Sequence, residues 1–437
     1  MIKKFLLCFL TIFTCTFIFA GELSDGSEET AVLTLTVDEA VKLALENNVS
    51  VKTSELELKL KKKQKNSSWN SISPSASLTA SYADDLEYDS QKLTAGGTLS
   101  LSLSPSVYSS VKSAVLAYEA GELSYEATLR SVELNVRKSF YNILYEKENL
   151  TVQEKSLETA QQTYDANLIK YNRGQLSELD LLTSQYNLDS KKPTIISLRN
   201  TYTNDLASFK QVLGIGLSIP IQLQGNLDDA VENIELDDSI LHADLDSVPS
   251  VKSAQNSVDS AKTSLLASRF SAYAPSLSAS YSYGKTKTLD VDPLSTTNSF
   301  SVSLKIPLDG YLPWSSGALS VASQKENLES LELQLDDQKT SAAISVRNSY
   351  NTILQAQSQL ETLKKNVELM QRTFDMTKIA YNNGSKDLLT LQTAQDNLLN
   401  AKTSLQQQEY TLISNILTLE STLGVPFGTY SNVKKLE

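Results

Sequence analysis

The fold is decided by residues 318–383, which read ALSVASQKENLESLELQLDDQKTSAAISVRNSYNTILQAQSQLETLKKNVELMQRTFDMTKIAYNN and contain neither glycine nor proline. At a rise of 1.5 Å per residue, a helix of this length extends roughly 100 Å, several times the usual helix of a globular protein. Gly384 follows directly, and a second stretch free of glycine and proline runs from Ser385 to Leu423. A glycine turn between two such helices predicts an antiparallel helical hairpin.

Apolar residues within the first helix recur in steps of three, four and seven. This heptad spacing is typical of helices that pack lengthwise against one another. The positions are Val346, Tyr350, Ile353, Leu360, Val367, Met370, Phe374 and Tyr381. We therefore predict that the hairpin packs against further helices along its length.

The whole hairpin occurs twice, at a constant offset of 210 residues. Gly174 corresponds to Gly384, and Leu213-Gly214 corresponds to Leu423-Gly424. The apolar seam repeats without a gap at Val136, Phe140, Ile143, Leu150, Leu157, Ala160, Tyr164 and Tyr171. An internal duplication of this kind predicts one body made of two similar halves, with the two hairpins side by side.

The first twenty residues have the features of a secretory signal peptide: a basic start, an apolar stretch and a small residue, Ala20, before the predicted cut. Both cysteines, Cys8 and Cys15, lie in this segment, and neither is in a convincing lipoprotein cleavage site. We divide the chain into a signal peptide (1–20), a first repeat (21–214), an acidic connector (215–248), a second repeat (249–427) and a C-terminal tail (428–437).

The chain is acidic, with 39 basic and 51 acidic residues and a net charge of −12. Loss of the signal peptide removes two lysines and makes the net charge −14. An acidic, exported protein is a poor candidate for binding nucleic acid. No later segment approaches eighteen consecutive apolar residues, so any crossing of a membrane would have to use strands.

Two stretches of alternating apolar and small polar residues precede each long helix. The apolar positions are Ala76, Leu78, Ala80 and Tyr82, then Leu99, Leu101 and Leu103, and in the second repeat Leu277, Ala279, Tyr281 and Tyr283, then Phe300, Val302, Leu304 and Ile306. Each stretch is about long enough to cross a bilayer when tilted. Ordinary soluble hairpins remain the alternative interpretation of these strands.

Aromatic residues gather where these strands end: Trp69, Tyr108, Tyr273, Tyr311 and Trp314. In a membrane barrel they would form a belt at the lipid headgroups. Four strands cannot close a barrel, and an open sheet edge is not tolerated in lipid. A membrane protein with this sequence must therefore be an oligomer.

The remaining segments are predicted to connect these elements. Thr36 to Asn48 reads as a short helix that begins with a capping box formed by Thr36 and Glu39. Val51 to Trp69 and Ser250 to Phe270 read as helices that lead to the strands, and Pro193 is predicted to kink the helix that contains it. Gly214 to Asp246 reads as a non-helical connector.

An enzyme finds little support in this sequence. The single histidine, His242, lies in the connector and reads as a solvated loop residue. The acids Asp228, Asp229, Glu232, Glu235, Asp237 and Asp238 do not have the spacing of a calcium loop and read as solvated. No phosphate loop, paired histidines or nucleophile elbow is present, so no cofactor or metal is predicted.

The ordered set of segments resembles the TolC-type outer-membrane efflux proteins from about Leu35 to Phe427. The similarity is carried by Leu35-Thr36-Val37-Asp38-Glu39-Ala40-Val41, by Tyr171-Asn172-Arg173-Gly174 and Tyr381-Asn382-Asn383-Gly384, and by Leu423-Gly424-Val425-Pro426. This resemblance implies an α+β membrane protein. The resemblance further implies a homotrimer, with a twelve-stranded barrel in outer-membrane lipid and twelve helices that form a periplasmic tunnel. It also implies a periplasmic adaptor and an inner-membrane transporter as partners.

The resemblance also assigns roles at the two glycine turns. Gly174, Gly384, Tyr171 and Arg173 would form the periplasmic tips at which the adaptor docks. Asp180, Tyr381 and Lys386 would belong to the network that narrows the tunnel entrance. Thr390 and Thr393 stand where acids are familiar in the family, so the sequence does not support a ring of acids at this level. The alternative for Asp180, Tyr381 and Lys386 is that they are solvated tip residues.

Two function classes follow from the sequence. The first is an outer-membrane exit duct of an efflux or secretion system, and the second is a periplasmic or surface coiled-coil protein used for scaffolding or adhesion. The alternating strands in both repeats favour the duct, because a scaffold needs no such strands. The sequence does not identify the cargo.

Overall fold

The computed structural model describes residues 32–85, 90–232, 234, 240–241, 244–288 and 294–430. The predicted signal peptide, His242, and the connector acids Glu235, Asp237 and Asp238 lie outside the described residues. In chain order the elements are β1 (Leu33–Leu35), α1 (Val37–Asn47), α2 (Val49–Asn66), β2 (Ser75–Asp85), β3 (Ser90–Leu103), α3 (Ser106–Asn172), α4 (Glu178–Leu213), β4 (Ile221–Leu223), α5 (Leu227–Val231), α6 (Pro249–Tyr273), β5 (Ser276–Thr288), β6 (Ser295–Lys305), α7 (Ser316–Asn382) and α8 (Leu388–Leu423).

The two predicted hairpins are α3 with α4 and α7 with α8. Helix α7 begins and ends 210 residues after α3, and α8 begins and ends 210 residues after α4, so the duplication is confirmed. The returning helices begin three residues later than predicted. Ser177 and Asp387 cap them, and their side chains accept hydrogen bonds from the backbone N–H groups of Asp180 and Thr390.

Each long helix is too long for one returning partner. The 36 residues of α4 cover the half of α3 nearest the glycine turn, and α2 packs against the other half. Asn48 joins these two partners end to end. Its amide nitrogen donates to the carbonyl of Val212 at 2.8 Å, and its Oδ1 accepts from the backbone N–H of Ser50 at 2.8 Å. Helix α4 continues across Pro193.

Helix α1 begins as predicted. The Thr36 hydroxyl caps it, and the Glu39 carboxylate accepts from the Thr36 backbone N–H at 2.8 Å, so the predicted capping box is confirmed. In the second repeat, α6 packs along α7 as α2 does along α3, and it begins at Pro249 beside Gly424.

The four predicted strands form one antiparallel sheet in the order β2-β3-β5-β6. The β3–β5 pairing joins the two repeats, and Leu99 lies opposite Tyr281, which in turn lies opposite Phe300. Because opposite residues share a face, one side of the sheet is apolar. Much of it is open: Leu78 is 92% exposed and Phe300 is 71% exposed.

The other face of the sheet is covered by hydroxyl groups. They pair across the strands, with oxygen–oxygen distances of 2.6 Å for Ser75 and Ser100, 2.7 Å for Ser278 and Ser303, and 2.8 Å for Ser280 and Ser301. The alternation in the sequence therefore produces one apolar and one hydroxyl-lined surface.

The main hydrophobic core lies midway along the long helices. It contains Phe140, Ile143, Phe209, Ile353 and Ile416, and it includes residues of α1 and α5 as well as both hairpins.

The connector departs from the prediction of a non-helical segment: α5 is a short helix, and β4 pairs in parallel with β1. The reason is burial, since the apolar side chains of α5 pack into this core.

The connector also contacts a buried acid. Glu409 in α8 is only 2% exposed, and its Oε1 has no hydrogen-bond partner among the described residues. Burial, together with a hydrogen bond and charge repulsion from Asp228 of α5, raises the pKa of Glu409 to about 8. The predicted solvated role of Asp228 is therefore incomplete, because this acid lies against a protonated carboxyl group.

We predict that Glu409→Gln stabilises the protein increasingly as pH rises. The folded state holds a proton on Glu409 up to about pH 8, whereas an unfolded glutamate loses it near pH 4.3. Stability is therefore lost as pH rises through this window. Melting followed by circular dichroism from pH 5 to 9 should show a smaller loss in the variant. We expect the free energy of unfolding of the variant to be higher by about 1–3 kcal/mol at pH 8, which is the cost of one buried polar atom without a hydrogen bond.

The matched control is Glu361→Gln, which changes an exposed glutamate of α7. Its melting curve should follow that of the unmodified protein at every pH. Equal pH dependence in Glu409→Gln and the unmodified protein would contradict the prediction.

Candidate functional site

The two glycine turns lie at the ends of the hairpins remote from the sheet. Gly174 has φ of 71° and Gly384 has φ of 75°, a left-handed conformation that glycine adopts without steric cost. Nothing within 4 Å would contact an added Cβ at either position. The backbone conformation alone therefore accounts for glycine at both turns.

The backbone of each turn closes its long helix with the same two hydrogen bonds. In the first hairpin, Gly174 N–H donates to the Tyr171 carbonyl at 2.8 Å and Gln175 N–H donates to the Lys170 carbonyl at 2.9 Å. Gly384 and Ser385 repeat the pattern at 3.0 and 2.9 Å. Both tips are consequently the same structural motif.

Tyr381 connects the second tip to the first hairpin. Its hydroxyl donates to Oδ1 of Asn167 at 2.6 Å, and Nζ of Lys170 lies 4.8 Å from the centre of its ring. Asn167 is 0% exposed. Burial raises the pKa of Tyr381, the charge of Asp180 raises it further, and the bond to Asn167 opposes the change. The Tyr381 hydroxyl therefore bonds to Asn167 of the same protomer and not, as predicted, to the carboxylate of Asp180.

Asp180 is held by its own helix terminus. Its carboxylate accepts from the Ser177 hydroxyl at 2.7 Å, and its backbone N–H donates back to the same hydroxyl at 3.1 Å. Lys386 is exposed, and within the described part of the protomer no ion pair joins it to Asp180. The structure therefore brings Asp180 near Tyr381 and leaves Lys386 on the surface.

The other predicted tip residues face outward. Tyr171 and Arg173 are exposed. Thr390 donates its hydroxyl to the Asp387 cap, and Thr393 donates to the carbonyl of Leu389 at 2.8 Å. The hydroxyl groups of both threonines donate to acceptors of their own helix or its cap, and neither residue adds charge at this level.

Sequence reasoning did not identify Asn167 and Lys170. Asn167 occupies the heptad step between Tyr164 and Tyr171, so it is a polar residue at a seam position. A single buried asparagine in such a seam commonly specifies the register of helices. This interruption of the apolar pattern was the signal that could have pointed to it.

Further polar contacts join the two hairpins near the tips. Nε2 of Gln395 in α8 donates to the Ser156 carbonyl of α3 at 3.1 Å. Lys191 of α4 pairs with Asp396 of α8 at 3.2 Å. The hairpins therefore meet through polar groups here and through a large apolar core farther from the tips.

The five predicted belt aromatics lie at the junctions between helices and strands. Trp69 precedes β2, Tyr108 follows β3, Tyr273 ends α6, and Tyr311 and Trp314 lie between β6 and α7. Tyr273 and Tyr311 contact each other edge to face, with ring centres 5.2 Å apart. All five occupy the end of the sheet that adjoins the helices.

Among the described residues, no group of three or more histidine, cysteine, aspartate or glutamate side chains is arranged to hold a metal ion. Across the same ranges, no helix combines the length and apolar character needed to cross a membrane.

Comparison with solved structures gives the same fold. A structure of CusC that describes transmembrane channel formation matches with a TM-score of 0.75 at 17% identity, covering 89% of this chain and 92% of that one. The Campylobacter jejuni CmeC outer membrane channel matches with a TM-score of 0.74 at 19% identity, covering 91% of this chain and 86% of that one. The open state of the Neisseria gonorrhoeae MtrE outer membrane channel matches with a TM-score of 0.71 at 19% identity, covering 89% of each chain. No curated protein sequence matches significantly.

The family model described as outer membrane efflux protein matches residues 40–232 and 240–425, which is most of the chain. Its two matched segments correspond closely to the two structural repeats. Members of this family are not enzymes. Together with the fold, this match confirms the resemblance drawn from the sequence: the chain belongs to the outer membrane efflux protein family, the TolC-type channels.

Proposed function

We propose that this protein is the outer-membrane exit duct of a tripartite efflux or secretion system. Three copies form one closed twelve-stranded barrel in the lipid, and their helices form a tunnel in the periplasm. Substrates pass passively through it from a periplasmic adaptor and an inner-membrane transporter.

This proposal rests on the exposed apolar face and the open edges of the sheet. Its apolar face is exposed, and β2 and β6 each have one edge without a partner strand among the described residues. In water such a face and such edges favour aggregation, and in lipid an open edge is not tolerated. Closure by further copies satisfies both constraints, with the apolar face toward lipid and the hydroxyl face toward the lumen. A soluble scaffold offers no reason for this two-faced sheet.

We expect the detergent-solubilised protein to have the native mass of a trimer and to conduct ions in planar bilayers. Val302→Lys, on the apolar face, should impair membrane assembly, because a lysine on the lipid face costs about 2–4 kcal/mol near the bilayer centre. The matched control is Ser301→Lys, one residue away on the hydroxyl face.

This control should assemble and conduct. A monomer in detergent, or equal assembly of both lysine variants, would overturn the duct and favour the scaffold.

We also propose that Asp180, Tyr381 and Lys386 hold the tunnel entrance closed. The negative charge of Asp180 acts on Tyr381 within the protomer, and the exposed Lys386 is free to approach a carboxylate of another copy. Hydrogen bonds to charged groups at such wet positions contribute on the order of 1 kcal/mol each. Three copies related by symmetry would act together.

We predict that Asp180→Ala combined with Tyr381→Phe raises single-channel conductance by more than the sum of the two single changes, because members of one network are not additive. Ser177→Ala is the matched control, since it removes the hydroxyl that donates to the Asp180 carboxylate and keeps the charge of that carboxylate. Conductance of the double variant equal to that of the unmodified protein would place the gate elsewhere.

The glycine tips, with Tyr171 and Arg173, are the proposed docking points for the adaptor. Gly174→Val and Gly384→Val should each reduce adaptor cross-linking while the trimer persists. A side chain at positive φ costs roughly 1–2 kcal/mol and disturbs the turn. Gly216→Val, at a glycine without positive φ, is the control. Unchanged cross-linking and efflux in both tip variants would refute this assignment.

A further inference from the structure

The hydroxyl face of the sheet carries positive charge at its two ends. Lys305 lies two residues after Ser303 in β6, and Lys92 lies two residues before Thr94 in β3. The Thr94 hydroxyl pairs across the strands with that of Thr286 at 3.2 Å. Because successive side chains of a strand point to opposite faces, both lysines share the face of these hydroxyl groups. Among the side chains that the structure describes on this face, these two lysines are the charged ones.

Neither lysine is neutralised within the described part of the protomer. Both side chains are exposed, and no ion pair between described residues includes either of them. Two other exposed lysines of the sheet, Lys285 and Lys287, alternate with the hydroxyl-face residue Thr286 in β5 and therefore lie on the apolar face. They provide a comparison, because they carry the same charge on the opposite side of the sheet.

The two hydroxyl-face lysines are far apart along the strands. Lys92 lies opposite Thr288 and Lys305 lies opposite Ser276, and these partners are twelve residues apart in β5. Twelve residues span about 40 Å of strand, or about 30 Å along a barrel axis if the strands tilt by about 40°. Between these two levels the described side chains of the hydroxyl face carry no charge.

In the proposed duct this face lines the lumen, and three copies give one ring of three lysines at each mouth of the barrel. Twelve strands that are about 4.8 Å apart and tilted by about 40° close into a barrel roughly 24 Å across. The screening length in 0.1 M salt is about 10 Å, which is close to the radius of that barrel. The positive potential of each ring therefore extends across the lumen, and rings of lysine or arginine favour anions in pores.

The inner ring also has hydrogen-bond donors beside it. Lys305 borders a cavity of about 780 Å³ where the sheet meets the helices. The polar lining of this cavity includes Ser268 and Ser271 of α6 and Ser316 and Ser320 of α7. Hydroxyl groups donate to anionic oxygens, and hydrogen bonds to a charged partner are stronger than neutral ones. An ammonium group surrounded by hydroxyls matches a carboxylate, sulfate or phosphate group.

We propose that the barrel lumen selects anionic solutes, which bind at the Lys305 ring of the inner mouth and leave past the Lys92 ring of the outer mouth. The proposal rests on the proposed duct and specifies its cargo as solutes that carry carboxylate, sulfate or phosphate groups. Two weak sites separated by an uncharged, hydroxyl-lined stretch suit conduction, because a solute must be able to leave the position at which it binds.

The test is the reversal potential of the full-length channel in planar bilayers under a gradient of potassium chloride. The unmodified channel should pass chloride more readily than potassium. Lys92→Gln combined with Lys305→Gln should lower the chloride-to-potassium permeability ratio by roughly twofold or more at low salt, where screening is weakest. The matched control is Lys285→Gln combined with Lys287→Gln, which removes the same charge from the apolar face and should leave the ratio unchanged.

The inner site is tested with inositol hexakisphosphate added on the side of the helices. It should block the unmodified channel and the control, and Lys305→Gln alone should raise the concentration needed for half-block several-fold. A conducting channel that prefers potassium, equal ratios in the lumen variant and the unmodified protein, equal shifts in the lumen and control variants, or unchanged block in Lys305→Gln would overturn the inference and leave the duct intact. An unmodified protein that forms no channel overturns both proposals.

Discussion

The structure depends on covering one apolar seam along a helix of about 100 Å. No single returning helix does so, because α4 and α8 each stop after 36 residues. The cover is completed by α2 and α6, and in the first repeat Asn48 bonds to the end of α4 while it caps α2. The main core lies at this junction, where the partner of each long helix changes. The largest buried apolar cluster thus lies midway along the long helices, and only a smaller one lies near the second tip.

The contacts between the two hairpins also change in character along the molecule. Near the tips the hairpins are joined by a tyrosine–asparagine bond, a glutamine–carbonyl bond and one ion pair. Water can replace each of these at a small net free-energy difference. Separation of the apolar core would expose large side chains such as Phe140 and Phe209 and cost far more. A change of shape is therefore least costly at the tips.

The sequence predicted the large elements well because their signals are long. The absence of glycine and proline, the heptad seam and the offset of 210 residues define both hairpins, and strict alternation defines the four strands. The β1–β4 pair escaped prediction because strands of three residues carry no periodicity, and their partners lie far apart in the chain. Helix α5 was equally short. The partner of Tyr381 could not be deduced, because spacing along α3 does not reveal which side chain of α7 reaches Asn167.

The β3–β5 pairing has a consequence for the order in which the molecule assembles. Leu99 and Tyr281 are about 180 residues apart, whereas each helical hairpin closes through a turn of a few residues. The entropy cost of loop closure grows with the logarithm of loop length, and distant contacts slow folding. We expect both hairpins to form before the four strands meet in one sheet. During that interval the strands stay unpaired in water. A polar residue, mostly serine or threonine, at about every second position keeps each strand from exposing a continuous apolar segment that could aggregate.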